Sequence, residues 1–317
     1  MNNIITLTVN PIVDKSTTID GLRPNIELKC TTPVFRAGGG GINVSIAIKN
    51  LGGKSLSIYL AGGPNGVRLQ NLMEDEGMSQ EVIMLRGRTR DYLSVTDTAT
   101  ELEYRFGIPG PFVTEKEWQD SLNKVEENLQ AGDFMVASGK LPLGIPDDFF
   151  MKVAAIAKKK KARLILDTKG VGLIHAVKAD IFLFKPNLTE LSTVCGVGSI
   201  SYSELETLAV DFLERHSCEV LVVSLGASGA LLVSQQEVEY IQAPVVHQKS
   251  IIGAGDSMVA GMALSLLADK SFIEMAQFGV ACGTAATMRS GTQLCQKEDA
   301  DKLYEWIRLH SKNIKKK

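Results

Sequence analysis

Apolar and polar positions follow two recurring patterns along most of the chain. Short continuous runs of apolar or small residues alternate with longer stretches whose apolar positions repeat at helical spacing. Continuous apolar runs are typical of strands covered on both faces, and their alternation with helices is typical of βαβ units on a mainly parallel sheet. The pattern predicts an α/β protein with strands at 4–9, 55–60, 134–137, 164–166, 181–184 and 220–224, a meander after the last of these, and helices at 42–51, 115–129, 147–160, 203–215, 254–268, 273–288 and 298–310.

Two segments depart from this pattern. Residues 14–35 and 88–106 are rich in Thr, Val and Tyr, alternate polar with apolar positions and contain no helical repeat. They predict a small antiparallel sheet inserted into a main domain that is formed by residues 1–13, 36–87 and 107–317. A four-stranded flap with one apolar face would close over an active site as a lid, pair with the flap of a second subunit, or do both. Two long hairpin loops are the alternative interpretation.

Composition narrows the class of protein. A chain of 317 residues with 44% hydrophobic content is able to bury one large α/β core. Its 34 Lys and Arg residues nearly balance 36 Asp and Glu residues, so charge gives no support to a nucleic-acid partner. No apolar leader precedes the first strand and no apolar run approaches about 18 residues. The sequence therefore predicts a soluble, cytoplasmic protein with no membrane partner.

The five cysteines form no C-x-x-C pair and the four histidines form no cluster, which argues against disulfides and a zinc site.

A glycine-rich turn before the helix at 254–268 carries the strongest candidate chemistry. Gly253, Ala254 and Gly255 deliver Asp256 onto the first helical turn. The first N–H groups of a helix lack intrahelical partners and face an anion beside the turn, which glycines allow to approach closely. A carboxylate at this place suits a base that accepts a proton from a hydroxyl while the N–H groups hold a phosphoryl group. An ordinary helix cap is the competing interpretation of Asp256.

A second glycine run precedes the first long helix. Gly38 to Gly41 leave several N–H groups open, and Asn43 adds an amide that both donates and accepts hydrogen bonds. This combination suits a polyhydroxylated ligand, although a run of glycines is also compatible with a flexible turn.

Five motifs in order carry a resemblance to a known family. They are Asp14, GGGGIN at 38–43, KPNLTE at 185–190, SLGASG at 224–229 and GAGDS at 253–257. Together they resemble the ribokinase-like PfkB sugar kinases, over nearly the whole chain, and within that family the 6-phosphofructokinase branch. The resemblance implies a three-layer αβα sandwich with a mainly parallel sheet and a small β lid. It also implies ATP-dependent transfer of a phosphoryl group to the 1-hydroxyl of fructose 6-phosphate, a step of glycolysis, by a cytoplasmic homodimer.

The resemblance assigns roles on the nucleotide side of the site. Asp256 would be the general base, and the N–H groups of Gly253, Ala254 and Gly255 would face the charge that develops on the transferred phosphoryl group. Asn187 and Glu190 would fall on one side of a helix start and hold Mg²⁺ largely through water. The resemblance further implies a monovalent cation such as K⁺ near the carbonyl groups of residues 250, 252 and 290.

Three further residues would contact the nucleotide. Lys185 would lie near the phosphates as a point charge, and Ser224 and Gly226 would contact the phosphates or the ribose. The competing interpretations are a lysine that caps a strand end for Lys185, and a tight β-turn for the other two.

On the sugar side, Asp14, Gly39, Gly40 and Asn43 would line the pocket, with Asp14 accepting hydrogen bonds from ring hydroxyls. Phosphate recognition would come from Arg90 and Arg105 on the flap strands, which singly are also compatible with solvated surface charges. Lys140 stands where the resembled branch has serine, and it would add a charge near the sugar phosphate.

Two rival functions remain open at this stage. Tagatose-6-phosphate kinases and 1-phosphofructokinases of the same family carry lysine inside the glycine run, where this chain has Gly40, and this favours fructose 6-phosphate as the substrate. A non-catalytic sugar-phosphate-binding regulator on the same fold is the rival from another class.

Overall fold

A nine-stranded sheet forms the centre of the molecule in the computed structural model, which describes residues 2–314 and the side chains of residues 2–311. The strands are β1 (Ile4–Thr8), β2 (Ile12–Ile19), β3 (Val34–Gly38), β4 (Leu56–Ala61), β5 (Ser79–Met84), β6 (Arg90–Asp97), β7 (Glu103–Gly107), β8 (Phe134–Ser138), β9 (Arg163–Asp167), β10 (Ile181–Phe184), β11 (Cys218–Ser224), β12 (Ala230–Ser234) and β13 (Val238–Ile241). The helices are α1 (Gly40–Asn50), α2 (Gly63–Asp75), α3 (Glu115–Asn128), α4 (Phe149–Lys160), α5 (Val171–Ala176), α6 (Leu188–Cys195), α7 (Tyr202–Arg215), α8 (Ala254–Leu267), α9 (Phe272–Thr287) and α10 (Lys297–Ile314).

The large sheet has the order β13-β12-β11-β10-β9-β8-β1-β4-β5. Every pair from β11 to β5 is parallel, whereas β12 and β13 are antiparallel additions at one edge. The predicted parallel sheet and terminal meander are therefore confirmed. None of the helices within the described residues is both long and apolar enough to cross a membrane.

Helices cover both faces of this sheet, which gives the three predicted layers. Alternate residues of β8 point to opposite sides: Met135 and Ala137 pack with α3, α4 and α7, whereas Phe134 and Val136 pack with α1, α8, α9 and α10. Both faces of the strands are therefore apolar, and each fully buried large side chain contributes roughly 1.5–3 kcal/mol of transfer free energy.

A separate four-stranded sheet, of order β3-β2-β6-β7, forms the flap. The expectation of an antiparallel flap is wrong in one respect, because β2 pairs with β6 in parallel from Ile12↔Arg90 to Ile19↔Asp97. The reason lies in the connections: β2 follows β1 and β6 follows β5, so both strands leave the parallel main sheet from the same edge and in the same direction. The division of the chain into a main domain and a lid at the stated residue boundaries stays a prediction.

Three elements were not predicted from the sequence, namely α2, β5 and α5, and α6 was expected only as a helix start at residues 187–190. Helix α2 buries only Gly66, Leu69 and Met73, so its apolar stripe is narrow. Strand β5 lies at the edge of the sheet and is half polar, with Ile83 as its one buried residue. Helices α5 and α6 span six and eight residues, which is too short for a repeat to show.

The hydrogen bonds of the parallel sheet continue beyond the ends of several strands. Gly139 donates to the Asp167 carbonyl at 3.0 Å, Lys185 to the Leu166 carbonyl at 3.1 Å, and Ser224 to the Pro186 carbonyl at 2.8 Å. These bonds bring the loops after β8, β9, β10 and β11 side by side at one edge. In open α/β sheets, ligands bind at this edge.

Candidate active site

Asp256 lies half-buried at the beginning of α8, at the edge of the sheet where the parallel strands end. Gly253 caps the helix with φ of 73°, and the first intrahelical bond runs from the Ser257 N–H to the Gly253 carbonyl at 2.8 Å. The Ala254 N–H makes a long bond of 3.5 Å to the Ile251 carbonyl, and the N–H groups of Gly253, Gly255 and Asp256 remain open to a ligand on this side of the helix. One carboxylate oxygen of Asp256 accepts a hydrogen bond from the Asn43 amide at 2.7 Å. The structure thus joins the two glycine motifs that the sequence places more than 200 residues apart.

Burial is the main cause that raises the pKa of Asp256 to about 6, and the nearby Asp167 carboxylate raises it further. Asn43, Lys185 and Lys169 oppose this shift because they favour the ionised form. A carboxyl group with this pKa is ionised near neutral pH and is a stronger base than an exposed aspartate. An ordinary helix cap on the surface would show neither feature, which favours the catalytic interpretation of Asp256.

Lys185 is buried next to Asp256 and forms an ion pair with Asp167. The distance from Lys185 Nζ to Asp167 Oδ1 is 3.1 Å, and the side chains are 5% and 15% exposed. Burial is the largest single influence and would lower the pKa of Lys185, but the carboxylates of Asp167, Glu190 and Asp256 together outweigh it and the pKa is raised. The ammonium lies beside the glycine turn, because a Cβ atom at residue 255 would stand 3.6 Å from Lys185 Nζ, an ordinary van der Waals contact. This burial and pairing exclude the alternative in which Lys185 is a surface lysine that only caps a strand end.

Asp167 is a site residue that the sequence analysis did not identify. It ends the short apolar strand β9, and its only sequence signal is a carboxylate directly after a buried run. Searching the first polar residue after each parallel strand would have found it.

Asn187 and Glu190 form a capping box at the start of α6. The Asn187 side chain accepts from the Glu190 N–H at 2.9 Å, and the Glu190 carboxylate accepts from the Asn187 N–H at 2.9 Å. Burial chiefly raises the pKa of Glu190, and Asp167 adds to the shift, while the Asn187 N–H, Lys185 and Lys169 oppose it. The two residues do share one side of a helix start, next to the ion pair of Asp167 and Lys185.

The residues around Glu190 fit a magnesium ion that is bound partly through water. Among the described residues, no group of three His, Cys, Asp or Glu side chains converges closely enough to hold a metal ion. Glu190 and Asp167 nevertheless place two hard oxygen donors near one another, beside open N–H groups. Mg²⁺ keeps several waters and commonly takes one or two carboxylates together with substrate phosphates, so this donor set suits it better than a cation that needs a full protein cage.

The glycine run at 38–41 allows α1 to approach the main sheet very closely. A Cβ atom at Gly40 would collide with Ser138 Oγ and would stand 2.8 Å from the Gly139 nitrogen. Gly39 adopts φ of 118°, and a Cβ atom there would stand 2.7 Å from the Thr8 methyl group. The run is therefore a fixed close contact rather than a flexible turn, and it places Asn43 against Asp256 on the first turn of α1.

Asp14 lies at the base of the flap and is 2% exposed, yet neither carboxylate oxygen has a hydrogen-bond partner among the described residues. Burial raises its pKa, while the Thr292 hydroxyl, which lies near the carboxylate without a well-formed hydrogen bond, and the guanidinium groups of Arg105 and Arg36 oppose the shift. Thr8 Oγ1, Asn10 Oδ1, Arg90 Nε and Thr292 Oγ1 are likewise buried without partners. Buried polar atoms are normally paired, so these residues indicate a pocket whose partners come from a polar ligand. Thr8, Asn10 and Thr292 were not identified from the sequence, since each is one polar residue in a loop or at a strand end.

The predicted phosphate-binding cations lie on two sides of this pocket. Arg90 is partly buried and donates to the Asn10 carbonyl at 3.1 Å, which fixes its guanidinium at the junction of flap and main sheet. Arg105 is exposed and stacks over the Tyr92 ring at 4.8 Å. Lys140 is exposed in the loop after β8, where its Cε atom would stand 3.9 Å from a Cβ atom at Gly170. The structure therefore brings Arg90 and Arg105 to the flap side, and Lys140 to the opposite rim.

Ser224 and Gly226 lie farther along the same edge. The Ser224 hydroxyl donates to the Pro186 carbonyl at 3.3 Å, and Gly226 begins a short 3₁₀ turn with open space around its Cα atom. Both interpretations of this pair, nucleotide contact and tight turn, are compatible with that geometry.

A groove of about 1110 Å³ at the opposite edge of the sheet contains none of the predicted site residues, and its Asp180 is already paired with Lys158 at 2.5 Å.

Comparison with known proteins agrees with this geometry. The family model of the pfkB family carbohydrate kinases matches residues 2–299. The chain belongs to that family. The kinase is 37% identical to the ATP-dependent 6-phosphofructokinase isozyme 2 of Escherichia coli, covering 97% of this chain and 99% of the relative. It is 36% identical to the protein of the same name from Mycobacterium tuberculosis, covering 95% and 89%. It is 30% identical to a 1-phosphofructokinase of Xanthomonas campestris, covering 94% and 92%.

Solved structures extend the comparison to the fold of the kinase. Phosphofructokinase-2 of E. coli in complex with potassium superposes with a TM-score of 0.94 at 37% identity, covering 97% of this chain and all of that chain. The same protein in complex with fructose-6-phosphate gives 0.91 at 36% identity, covering 97% and 100%. Its tetrameric inhibited form gives 0.92 at 36% identity, with the same coverage. The ribokinase-like three-layer fold predicted from the sequence is thereby confirmed.

The close approach of Gly40 to β8 predicts a strong effect of a single methyl group. Gly40→Ala should destabilise the kinase by about 1–3 kcal/mol, because its Cβ atom displaces Ser138 and Gly139. Urea unfolding measures the change. Gly198→Ala is the matched control, since a Cβ atom there meets nothing within 4 Å. Equal stability of the two variants would contradict the close contact.

The raised pKa of Asp256 predicts the acid limb of the pH–rate profile. Because only the ionised carboxylate accepts a proton, kcat/KM should fall as the pH drops through about 6. In Asp167→Asn, the loss of a nearby negative charge and the release of Lys185 both lower the Asp256 pKa, so the limb should move to lower pH. A phosphate group on the substrate would titrate at the same pH in both proteins. Asp269→Asn, at the other end of α8, should leave the limb in place, and an unshifted limb in Asp167→Asn would show that another group titrates.

Proposed function

We propose that the protein is an ATP-dependent 6-phosphofructokinase, which transfers the γ-phosphoryl group of ATP to the 1-hydroxyl of fructose 6-phosphate and yields fructose 1,6-bisphosphate. The observation that carries this proposal is the half-buried Asp256 carboxylate, held by Asn43 at an open helix start. The pocket of unpartnered polar atoms around Asp14, with two arginines on the flap, supports a phosphorylated sugar as the acceptor. The 36–37% identity to two 6-phosphofructokinases supports the same substrate.

Asp256 acts as the general base. Its pKa of about 6 is far below that of an alcohol, so the proton moves to the carboxylate while the sugar oxygen attacks the phosphorus. Asn43 keeps one carboxylate oxygen occupied, which leaves the other for the hydroxyl. Burial of the site excludes water, and this limits transfer of the phosphoryl group to water instead of sugar.

The helix start and Lys185 stabilise the transferred group. The N–H groups of Gly253, Ala254 and Gly255 face the developing negative charge, and Lys185 adds an ammonium beside Gly255. Glu190 and Asn187 would hold Mg²⁺ largely through water, and the bound ion would neutralise phosphate charge. Ser224 and Gly226 line the path of the nucleotide along the same edge. Segments 249–250 and 287 are hydrogen-bonded to each other, which supports a K⁺ site at the neighbouring carbonyl groups.

Asp14 orients the sugar, and the cations bind its 6-phosphate. Both free oxygens of Asp14 accept hydrogen bonds from sugar hydroxyls, and this relieves the cost of burying them unpaired. Gly39 and Gly40 let the sugar approach the backbone. The fixed guanidinium of Arg90, together with Arg105 and Lys140, matches the charge of the 6-phosphate.

The proposed reaction is tested by initial rates with ATP and Mg²⁺ on fructose 6-phosphate, tagatose 6-phosphate, fructose 1-phosphate, fructose and ribose. We expect the highest kcat/KM on fructose 6-phosphate. Asp256→Asn should lower kcat by about 10³-fold, because the amide accepts no proton.

The same variant should be more stable without ligand near pH 7.5, by roughly 1–3 kcal/mol, because it removes a charge whose burial raises its pKa.

Other outcomes identify the rivals. Preference for another sugar phosphate would indicate a tagatose-6-phosphate kinase or 1-phosphofructokinase. Tight binding of fructose 6-phosphate without turnover would indicate a regulator. Near-normal kcat in Asp256→Asn would remove the base role from that residue.

The flap also supports a homodimer. Val34 and Phe106 are apolar residues of the two edge strands of the flap, β3 and β7, and they are 50% and 51% exposed in the single chain. The register places Val34 and Phe106 on opposite faces of the sheet, so each face carries an exposed apolar side chain, which favours pairing with the flap of a second copy. The flap would then act both as a lid and as a dimer clasp.

The dimer predicts a concentration-dependent mass in light scattering. Val34→Asp combined with Phe106→Asp should raise the dimer dissociation constant by at least about 30-fold, since buried charges oppose association. Val245→Asp, at a residue that is 99% exposed outside the flap, is the control and should stay dimeric. A monomer at micromolar concentration in the unsubstituted protein, with ligands present, would overturn the dimer.

A further inference from the structure

Lys169 is a cation of the site that none of the motifs includes. It follows Asp167 by two residues in the loop between β9 and α5. Two hydrogen bonds fix this loop against the loop after β8: Thr168 Oγ1 donates to the Gly139 carbonyl at 2.7 Å, and the Gly139 N–H donates to the Asp167 carbonyl at 3.0 Å. The backbone that carries Lys169 is therefore held in place although its side chain is exposed.

Lys169 follows the Asp167–Lys185 ion pair, which lies beside Gly255, and so stands at the edge of the sheet that carries the catalytic carboxylates. It lowers the pKa of both Asp256 and Glu190, as Lys185 does. The cations that act on Asp14 are instead Arg105 and Arg36. The basic groups are thus divided between a sugar side and a nucleotide side, and Lys169 belongs to the nucleotide side.

Lys169 also differs from Lys185 in its ion pairing. Lys185 pairs with Asp167 at 3.1 Å, whereas Lys169 has no ion pair with any carboxylate in the part of the chain that the structure describes. Lys140 stands on the adjacent rim, near Gly170, and is likewise without an ion pair there. Two unpaired ammonium groups beside a half-buried base indicate an anionic ligand between them and the start of α8.

We propose that Lys169 contacts the terminal phosphoryl group of the nucleotide and follows it during transfer to the sugar. This inference rests on the proposed kinase function and adds a residue to its site. As the bond between the γ-phosphorus and the β,γ-bridging oxygen breaks and the bond to the sugar oxygen forms, ADP leaves with the electron pair and Asp256 takes the hydroxyl proton. Lys169 donates to a non-bridging oxygen throughout and exchanges no proton. Its side chain carries a compact charge on a flexible stem, which suits contact with a group that moves.

Calorimetry with Mg²⁺ tests the contact without turnover. Lys169→Gln should weaken binding of a non-hydrolysable ATP analogue about 5- to 20-fold and change ADP binding less than about 2-fold, because only the analogue has a third phosphate. Lys169→Arg should retain most of the difference. Lys178→Gln, an exposed lysine just after α5, should change neither affinity.

Steady-state kinetics give the second measurement. Lys169→Gln should lower kcat about 10- to 100-fold with the KM for fructose 6-phosphate nearly unchanged, whereas Lys140→Gln should raise that KM. Equal weakening of the analogue and ADP in Lys169→Gln, or no weakening of either, would overturn the contact. Those binding results decide the inference even if the unsubstituted protein phosphorylates no sugar, in which case the proposed function fails separately.

Discussion

Holding Asp256 ionised while it is removed from water is the constraint on which the site depends. Isolated buried charges are strongly disfavoured, so the carboxylate requires partners that are themselves fixed. Asn43 supplies one hydrogen bond at 2.7 Å, and the buried Lys185 supplies a compensating charge. Each partner brings its own requirement: Asn43 needs the glycine run that brings α1 against β8, and Lys185 needs Asp167 at the end of β9. Much of the conformation at this edge of the sheet follows from keeping one base charged.

The parallel sheet explains how residues from distant parts of the chain meet. Parallel strands align their carboxyl ends, and here the hydrogen bonds between neighbours continue into the loops. Ser138, Asp167, Lys185 and Ser224 consequently stand in order along one edge, although 86 residues separate the first from the last. Two helix starts, those of α6 and α8, point towards the same place, so their N–H groups add positive potential where phosphates would bind.

The sequence allowed the layers of the fold and the residues of the motifs to be predicted, because each has a local signal. Buried strands appear as apolar runs, and Asp256 appears beside glycines. The signals fail where structure depends on distant pairing. Asp167 becomes important only because β10 places Lys185 beside it, and the parallel pairing of β2 with β6 depends on how both strands leave the main sheet. Thr292 gains its role only by lying near Asp14, 278 residues away.

The two kinds of basic group in the site correspond to two different demands of the proposed reaction. A phosphate that stays on the sugar keeps one position, and a guanidinium fixed by its neighbours binds such a group with directional hydrogen bonds. Arg90, tied to the Asn10 carbonyl, and Arg105, stacked on Tyr92, are held in that manner. A phosphoryl group in transfer changes its position, so a compact charge on a flexible stem retains contact with it better. Lys169 stands on that side of the pocket, whereas Lys140, which we assign to the 6-phosphate beside the two arginines, lies exposed on the rim.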